Sequence, residues 1–182
     1  MGAILCIDFS YFRLTHEPIN NRIAHSNLSL ERGSDMAQAY SAQVIWQEGK
    51  HFEGLSGGHS IEIDAPQPTG TDKGMNPMQL LLVALAGCTG MDVVNILQKE
   101  RIKLLDLSVS VHGDREQEYP TVYNQIELVF KLRGYGLTHK IVEHAVRLSE
   151  EKYCSVGIMI GKTAQIKTVI EIENLEEGES HG

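Results

Sequence analysis

Two cysteines, Cys88 and Cys154, offer the most direct chemistry in this sequence. They lie 66 positions apart, and the third cysteine of the chain, Cys6, lies near its beginning. A thiolate attacks an electrophile such as a peroxide oxygen to give a sulfenic acid, and a second thiol condenses with that acid to form a disulfide. Two thiols buried in a core are the alternative interpretation, because cysteine is a small, well-tolerated core residue.

The segment that carries Cys88 has the pattern of a long helix. Residues 74–101 are GMNPMQLLLVALAGCTGMDVVNILQKER. Asn76 suits the N-cap, Pro77 the first helical position, and Gln79 the third position of a capping box. Residues 80–86 are all apolar, so the first turns have no face suited to water, and a buried central helix is predicted.

The remaining pattern predicts an α+β fold with largely antiparallel sheet. Apolar residues alternate with polar ones before the helix at 40–46, 51–55 and 60–64, and after it at 105–111, 122–132 and 166–172. A second, amphipathic helix is expected after Thr138, ending near Cys154. Strands therefore come in runs, in the order β-β-β-α-β-β-α-β, which disfavours a Rossmann-like unit.

The composition of the chain limits the classes of partner that the protein is expected to bind. The chain has 182 residues and a formal net charge of −8, which argues against nucleic acid and anionic membrane surfaces. Its longest apolar stretch is interrupted by Cys88, Thr89, Gly90 and Asp92, short of the ~18 residues that span a bilayer, so we expect no membrane partner. Without a secretory signal pattern, a cytoplasmic location is expected, where structural disulfides are rare.

Residues 1–35 differ in character from the rest of the chain and show no sustained period. We interpret them as a leader or an N-terminal extension and residues 36–182 as one domain. Cys6, His16 and His25 are accordingly left out of the candidate site.

The segments NPMQLLLVALAGCTGMDVV and SEEKYCSVGIM resemble the osmotically inducible protein C (OsmC) and organic hydroperoxide resistance (Ohr) family, and most closely its less characterised OsmC-like branch. The similarity runs from about residue 38 to residue 173. It implies an intertwined homodimer with buried central helices, and thiol-dependent reduction of organic hydroperoxides. It also implies that Cys88 is the peroxidatic residue, that Cys154 is the resolving one, and that an external dithiol reopens their disulfide without a bound cofactor.

The sequence differs from the family pattern at the positions that activate the thiolate in the family's peroxidases. In the family's peroxidases an acidic residue follows the Asn-Pro pair and works with an arginine from an early turn. Here Met78 and Gln79 follow that pair, and there is no arginine between residues 33 and 100. Asp92, on the same helix face as Cys88, disfavours a thiolate unless a cation pairs with it. Among the candidate cations, Lys50 and His51 stand where the family brings in its arginine, ahead of Lys73 and Arg115.

Two main functions follow from these observations. One is a peroxidase that works through a Cys88–Cys154 disulfide in defence against oxidative stress. The other is a redox-sensing or small-molecule-binding protein of the same fold without efficient turnover, which the missing acid–arginine pair favours. Thiol chemistry on another substrate is a third possibility. A zinc site made from His139, His144 and Cys154 lacks ligand spacing, so we expect no metal.

Overall fold

A computed structural model describes residues 39–176 of the chain. The predicted leader or extension at residues 1–35, with its cysteine and two histidines, lies outside the described residues. The elements in chain order are β1 (Gln43–Glu48), β2 (His51–Ser56), β3 (His59–Ile63), α1 (Pro77–Lys99), β4 (Lys103–Arg115), β5 (Tyr123–Tyr135), α2 (His139–Leu148), a π-helical turn (Ser149–Tyr153), α3 (Ser155–Ile160) and β6 (Gln165–Leu175). This is the predicted α+β order with one short helix added.

The first sheet is an antiparallel meander of β1, β2 and β3. Several of its alternating apolar residues, Val44, Trp46 and Ile61 among them, remain exposed within residues 39–176. All six residues of β1 are exposed, and Trp46 retains 62% of its accessible surface. The alternating pattern of β1 predicts a buried face, but in the structure no part of residues 39–176 covers this face.

The second sheet contains β4, β5 and β6, with β5 in the centre. β4 and β5 pair antiparallel, but β5 and β6 pair parallel. The prediction of antiparallel sheets is therefore wrong for the pairing of β5 with β6. The reason lies in the connection: α2, the π-helical turn and α3 carry the chain back along the sheet, so β6 enters at the same end as β5.

Helix α1 begins as the sequence predicts. The backbone N–H of Gln79 donates to the Asn76 Oδ1 atom at 3.0 Å, and the backbone N–H of Asn76 donates to the Gln79 side chain at 2.9 Å. One side of the helix packs against β4, α2 and α3 and buries Leu85, Val93 and Leu97 completely.

The opposite side of α1 is exposed, which corrects the prediction of a buried central helix for the single chain. Val83 retains 52% and Met91 66% of their accessible surface. Gly87 lies between them on the same face, and a side chain placed there would meet nothing within 4 Å. An apolar face therefore runs along α1 next to Cys88.

The expectation that no segment is apolar enough to span a bilayer also needs correction. Pro77–Lys99 contains an 18-residue window with mean hydropathy 2.0, which meets the length and composition of a spanning helix. Such windows also occur in the core helices of globular proteins, and one third of this window is buried within the chain.

The loop before α1 is organised by Asp64, whose side chain is only 1% exposed. Its carboxylate accepts hydrogen bonds from the backbone N–H groups of Ala65, Thr71 and Lys73 and from the Thr71 hydroxyl. The Thr71 hydroxyl and these N–H groups lower the pKa of Asp64 to about 2. Asp64 thus fixes the direction in which the chain enters α1.

The Asp64→Asn variant should be less stable than the wild type near pH 7, because an amide cannot accept all four hydrogen bonds as a carboxylate does. The folded-state pKa lies below the unfolded value of 3.8, so the stabilisation is present above pH 4 and is lost as the pH falls towards 2. Urea denaturation between pH 7 and pH 2.5 measures the difference in the free energy of unfolding between wild type and variant, and this difference should become smaller as the pH falls. Asp106→Asn, at an exposed position of β4, is the matched control. A difference that is independent of pH would contradict this role of Asp64.

Candidate thiol site

Cys88 lies in the middle of α1, at the border between its buried and exposed sides, and is partly buried. Asp92 lies one turn further along the helix and is also partly buried. Because positions four residues apart are neighbours on a helix, α1 alone brings a thiol and a carboxylate together. Between them Thr89 is buried, and its hydroxyl donates to the Leu85 carbonyl oxygen at 3.0 Å.

Cys154 is placed by the irregular end of the second helical segment. α2 continues into the π-helical turn, which closes when the Cys154 backbone N–H donates to the Ser149 carbonyl oxygen at 2.8 Å. The side chain of Cys154 then caps α3, since its Sγ accepts the Gly157 N–H at 3.2 Å. Single π-helical turns often occur at functional sites. This one sets a fully buried sulfur against α1.

The two thiols and the carboxylate meet in one cluster. The Sγ atoms of Cys88 and Cys154 and one carboxylate oxygen of Asp92 all lie within 4.8 Å of one another. Both cysteines are free thiols in this structure. The fold therefore brings together three of the site residues that the sequence predicted, although Cys88 and Cys154 are 66 positions apart in the chain. A small movement of the two sulfur atoms towards each other would allow a disulfide to form.

The electrostatics of this cluster favour the neutral thiol at Cys154. Burial raises the pKa of Cys154 to about 12, and the neighbouring Cys88 and Asp92 act in the same direction. The Gly157 N–H acts the opposite way, and no positive charge is among the largest influences on this pKa. Cys154 is therefore a poor nucleophile at neutral pH.

Ser149 belongs to the site although the sequence did not indicate it. Its side chain is fully buried, and its hydroxyl donates to the Asp92 Oδ2 atom at 2.9 Å. This hydrogen bond fixes the Asp92 carboxylate beside the thiols. A serine in a polar run at a helix end normally faces solvent, so no local pattern distinguishes it from the glutamates that follow.

The four candidate cations lie elsewhere in the single chain. Lys50 is in the β1–β2 turn, and His51 contacts the Glu62 carboxylate at 2.5 Å on the first sheet. Lys73 pairs with Glu48 at 2.8 Å, and the Arg115 Nε donates to the Thr121 carbonyl oxygen. Within residues 39–176, His51 is not part of the cluster of Cys88, Asp92 and Cys154, and none of the four is among the main influences on the pKa of Cys154.

The residues in place of the family acid have structural tasks. Gln79 completes the capping box, and the Met78 carbonyl oxygen accepts the Tyr123 hydroxyl at 2.9 Å while its side chain packs on the core. His139 and His144 occupy the first turn and the exposed side of α2.

A cavity of about 590 Å³ opens beside Cys154. Its lining is mostly apolar, with Glu150 and Lys162 contributing charge: Leu85, Thr89, Leu128, Glu150, Cys154, Gly157, Ile158, Gly161, Lys162, Ala164, Gln165 and Ile166. Cys88 does not line this cavity and is approached from the exposed face of α1. The two sulfurs therefore differ in access.

Alkylation should report this protection of Cys154. In native, reduced protein at pH 8, its reaction with iodoacetamide should be at least ~100-fold slower than in urea, because the folded thiol stays protonated and buried. Quantification of the tryptic peptide 153–162 by mass spectrometry measures both rates. Equal rates in the folded and unfolded protein would contradict the geometry described above.

The fold and site together define an α+β protein with a helix-borne thiol, a second thiol after a π-helical turn and a carboxylate between them. Residues 70–169 match the family model described as "OsmC-like protein". Protein YhfA of Escherichia coli (strain K12) is 40% identical over 132 residues, covering 72% of this chain and 96% of that protein. The chain belongs to the OsmC family.

Solved structures agree with this assignment. A hypothetical protein from Aquifex aeolicus VF5 has 31% identity and a TM-score of 0.69, covering 77% of this chain and all of that one. The organic hydroperoxide resistance protein OsmC from Legionella pneumophila has 16% identity and a TM-score of 0.58, covering 75% of this chain and 99% of that one. At that identity the second comparison shows a shared fold.

Proposed function

We propose that this protein is a thiol-dependent peroxidase that reduces organic hydroperoxides through Cys88 and Cys154. The single observation that carries the proposal is the convergence of both sulfurs within 4.8 Å from distant parts of the chain. The names of structural neighbours, which include organic hydroperoxide resistance proteins from Legionella pneumophila and Elizabethkingia anophelis, support the same class of chemistry.

The reaction assigns different tasks to the two thiols. The Cys88 thiolate attacks the distal peroxide oxygen, the O–O bond breaks, and the alkoxide leaves as an alcohol after taking a proton. Cys88 is now a sulfenic acid. As the Cys154 thiol gives up its proton to the departing hydroxyl group, its sulfur bonds to the Cys88 sulfur, water leaves, and a Cys88–Cys154 disulfide forms. An external dithiol supplies two electrons and two protons and restores both thiols.

The different access of the two sulfurs supports this order. Cys88 is partly exposed, whereas Cys154 is fully buried and holds its proton. A substrate that enters between the apolar face of α1 and the partner copy proposed below meets Cys88 first, beside Met91 and Gly87. Apolar surroundings favour an alkyl hydroperoxide over hydrogen peroxide, because the alkyl group gains from burial.

We further propose a homodimer in which a second copy covers the exposed apolar faces. The first sheet exposes Val44, Trp46 and Ile61, and α1 exposes Val83 and Met91. Exposed apolar faces of this kind indicate an interface. The early turn carrying Lys50 and His51 then remains a candidate source of a supporting cation across that interface. A cytoplasmic location, where dithiol reductants are available, belongs to the same proposal.

The proposed activity is tested by consumption of cumene hydroperoxide with dithiothreitol as the dithiol. Purified full-length protein should turn over many equivalents per site and should prefer the organic hydroperoxide to hydrogen peroxide. A single equivalent consumed per site, with no further turnover, would instead favour the second function, a redox sensor. The carboxylate of Asp92 beside the thiols, which opposes thiolate formation at Cys154, is the observation that favours that second function.

A further inference from the structure

The cluster of Cys88, Asp92 and Cys154 also has the donor set of a metal site. Two sulfurs and a carboxylate oxygen lie within 4.8 Å of one another, on α1 and at the start of α3. No histidine of residues 39–176 takes part, so this site differs from a histidine site that sequence spacing would reveal.

The distances in this cluster are close to those that zinc requires. A tetrahedral Zn²⁺ with Zn–S bonds of about 2.3 Å and a Zn–O bond of about 2.1 Å holds its ligand atoms about 3.6–3.8 Å apart. Since the three ligand atoms lie within 4.8 Å of one another, they need to approach each other by roughly 1 Å at most to bind zinc. Rotation of the side chains supplies this movement. Two cysteine sulfurs favour zinc over magnesium or calcium, which take oxygen ligands.

Two hydrogen bonds already orient the ligands. The buried Ser149 hydroxyl donates to Asp92 Oδ2 at 2.9 Å, and the Gly157 N–H donates to Cys154 Sγ at 3.2 Å. Metal sites commonly hold their ligands through such outer partners, whose loss weakens binding about 10- to 100-fold. A carboxylate fixed beside two sulfurs is a poor arrangement for free thiolates and a good one for a divalent cation, which offsets two of the three negative charges that the deprotonated ligands carry.

We propose that Cys88, Asp92 and Cys154 form a three-ligand site for Zn²⁺. Three protein ligands leave the fourth position to water or an external ligand. Binding replaces the protons of neutral thiols with the metal, so protons are released to solvent. Because zinc occupies both sulfurs, the loaded protein cannot form the Cys88–Cys154 disulfide. Zinc and hydroperoxide therefore compete for the same pair of thiols.

Titration of the reduced, chelator-treated full chain with Zn²⁺ under argon tests this site, with a chromophoric chelator as competitor and no hydroperoxide present. We expect one Zn²⁺ per chain with a sub-micromolar dissociation constant, on the order of other thiolate sites. Co²⁺ should give the thiolate charge-transfer band and the intense visible bands of a tetrahedral site.

Variants identify the ligands. Cys154→Ser should weaken binding at least ~100-fold and Asp92→Asn at least ~10-fold. Ser149→Ala removes only the outer hydrogen bond and should give a smaller loss. Cys6→Ser and Asp106→Asn are matched controls that should bind as the wild type does, and circular dichroism verifies that each variant is folded. Stoichiometric binding that survives Cys154→Ser and Asp92→Asn, or no Zn²⁺ binding and no tetrahedral Co²⁺ spectrum, would overturn the proposal.

The test of the zinc site and the test of the proposed peroxidase function can fail independently of each other. Zinc affinity is measured without peroxide, and hydroperoxide turnover is measured with the metal removed by chelator. Zinc binding without turnover would remove the peroxidase proposal alone. Turnover without zinc binding would remove the metal site alone.

Discussion

Replacing Cys88 with serine is expected to abolish hydroperoxide turnover. The serine hydroxyl is not ionised at neutral pH and is a far weaker nucleophile than a thiolate, so the rate of cumene hydroperoxide consumption should fall at least ~10³-fold. Stability should change little, because serine is nearly isosteric with cysteine and the site is only partly buried. The rate is followed with excess dithiothreitol, and the thermal unfolding midpoint of the variant is measured alongside.

Cys154→Ser is the matched variant on the other side of the cluster. It keeps the attacking thiol and removes the resolving one, so without dithiothreitol each site should consume one equivalent of hydroperoxide and remain a sulfenic acid instead of forming a disulfide. A dimedone adduct on the peptide 74–99 would identify that acid. Cys6→Ser should retain full activity. Steady-state turnover by the Cys88→Ser variant at the wild-type rate would exclude the proposed mechanism.

Val83→Glu is expected to dissociate the proposed homodimer. Val83 lies in the middle of the exposed apolar face of α1 and retains 52% of its accessible surface in the single chain. A glutamate buried there by a partner chain would lose its hydration without gaining a cation, at a cost of several kcal/mol. A penalty of about 3 kcal/mol raises the dimer dissociation constant roughly 150-fold.

Light scattering coupled to size exclusion, over a range of protein concentrations, measures this change. His144→Glu places the same side chain on the exposed face of α2 and is the control. We expect a wild-type dimer, a dimeric His144→Glu variant and a largely monomeric Val83→Glu variant. A wild-type monomer, or an unchanged dimer in Val83→Glu, would show that this face of α1 is not the interface.

Local sequence signals predicted the elements of this fold well. The Asn76 and Gln79 pair is a capping box in the sequence and in the structure, because capping depends only on residues within one turn. The order of strands and helices followed from hydrophobic periodicity for the same reason. The resemblance to the OsmC family, which rested on the segments around the two cysteines, is confirmed by the family model and by YhfA.

Features that depend on distant parts of the chain were not predictable in this way. The parallel pairing of β5 and β6 is set by the return path through α2 and α3, which no local pattern specifies. The burial of Ser149 against Asp92 depends on a π-helical turn that shifts the helix register. The exposure of Val83 and Trp46 also differs from expectation, because periodicity shows that a face is apolar but not which chain covers it.

The site differs from the sequence expectation in its electrostatics. Asp92 was expected to need a cation partner, but its side chain accepts a neutral hydroxyl from Ser149 instead. In the single chain, Lys50 and His51 lie on the first sheet and not beside the thiols. The arrangement therefore separates thiol proximity, which is present, from thiolate activation, for which the proposed partner chain is a candidate source of a cation.

The most direct test of the account is the disulfide itself. Reduced, metal-free protein is treated with one equivalent of cumene hydroperoxide, quenched with an alkylating agent and digested with trypsin without reduction. The three cysteines fall on separate peptides, 1–13, 74–99 and 153–162. The account predicts that peptides 74–99 and 153–162 become linked in stoichiometric yield and that dithiothreitol separates them. Oxidation of Cys88 without this link, or a link to Cys6 instead, would contradict it.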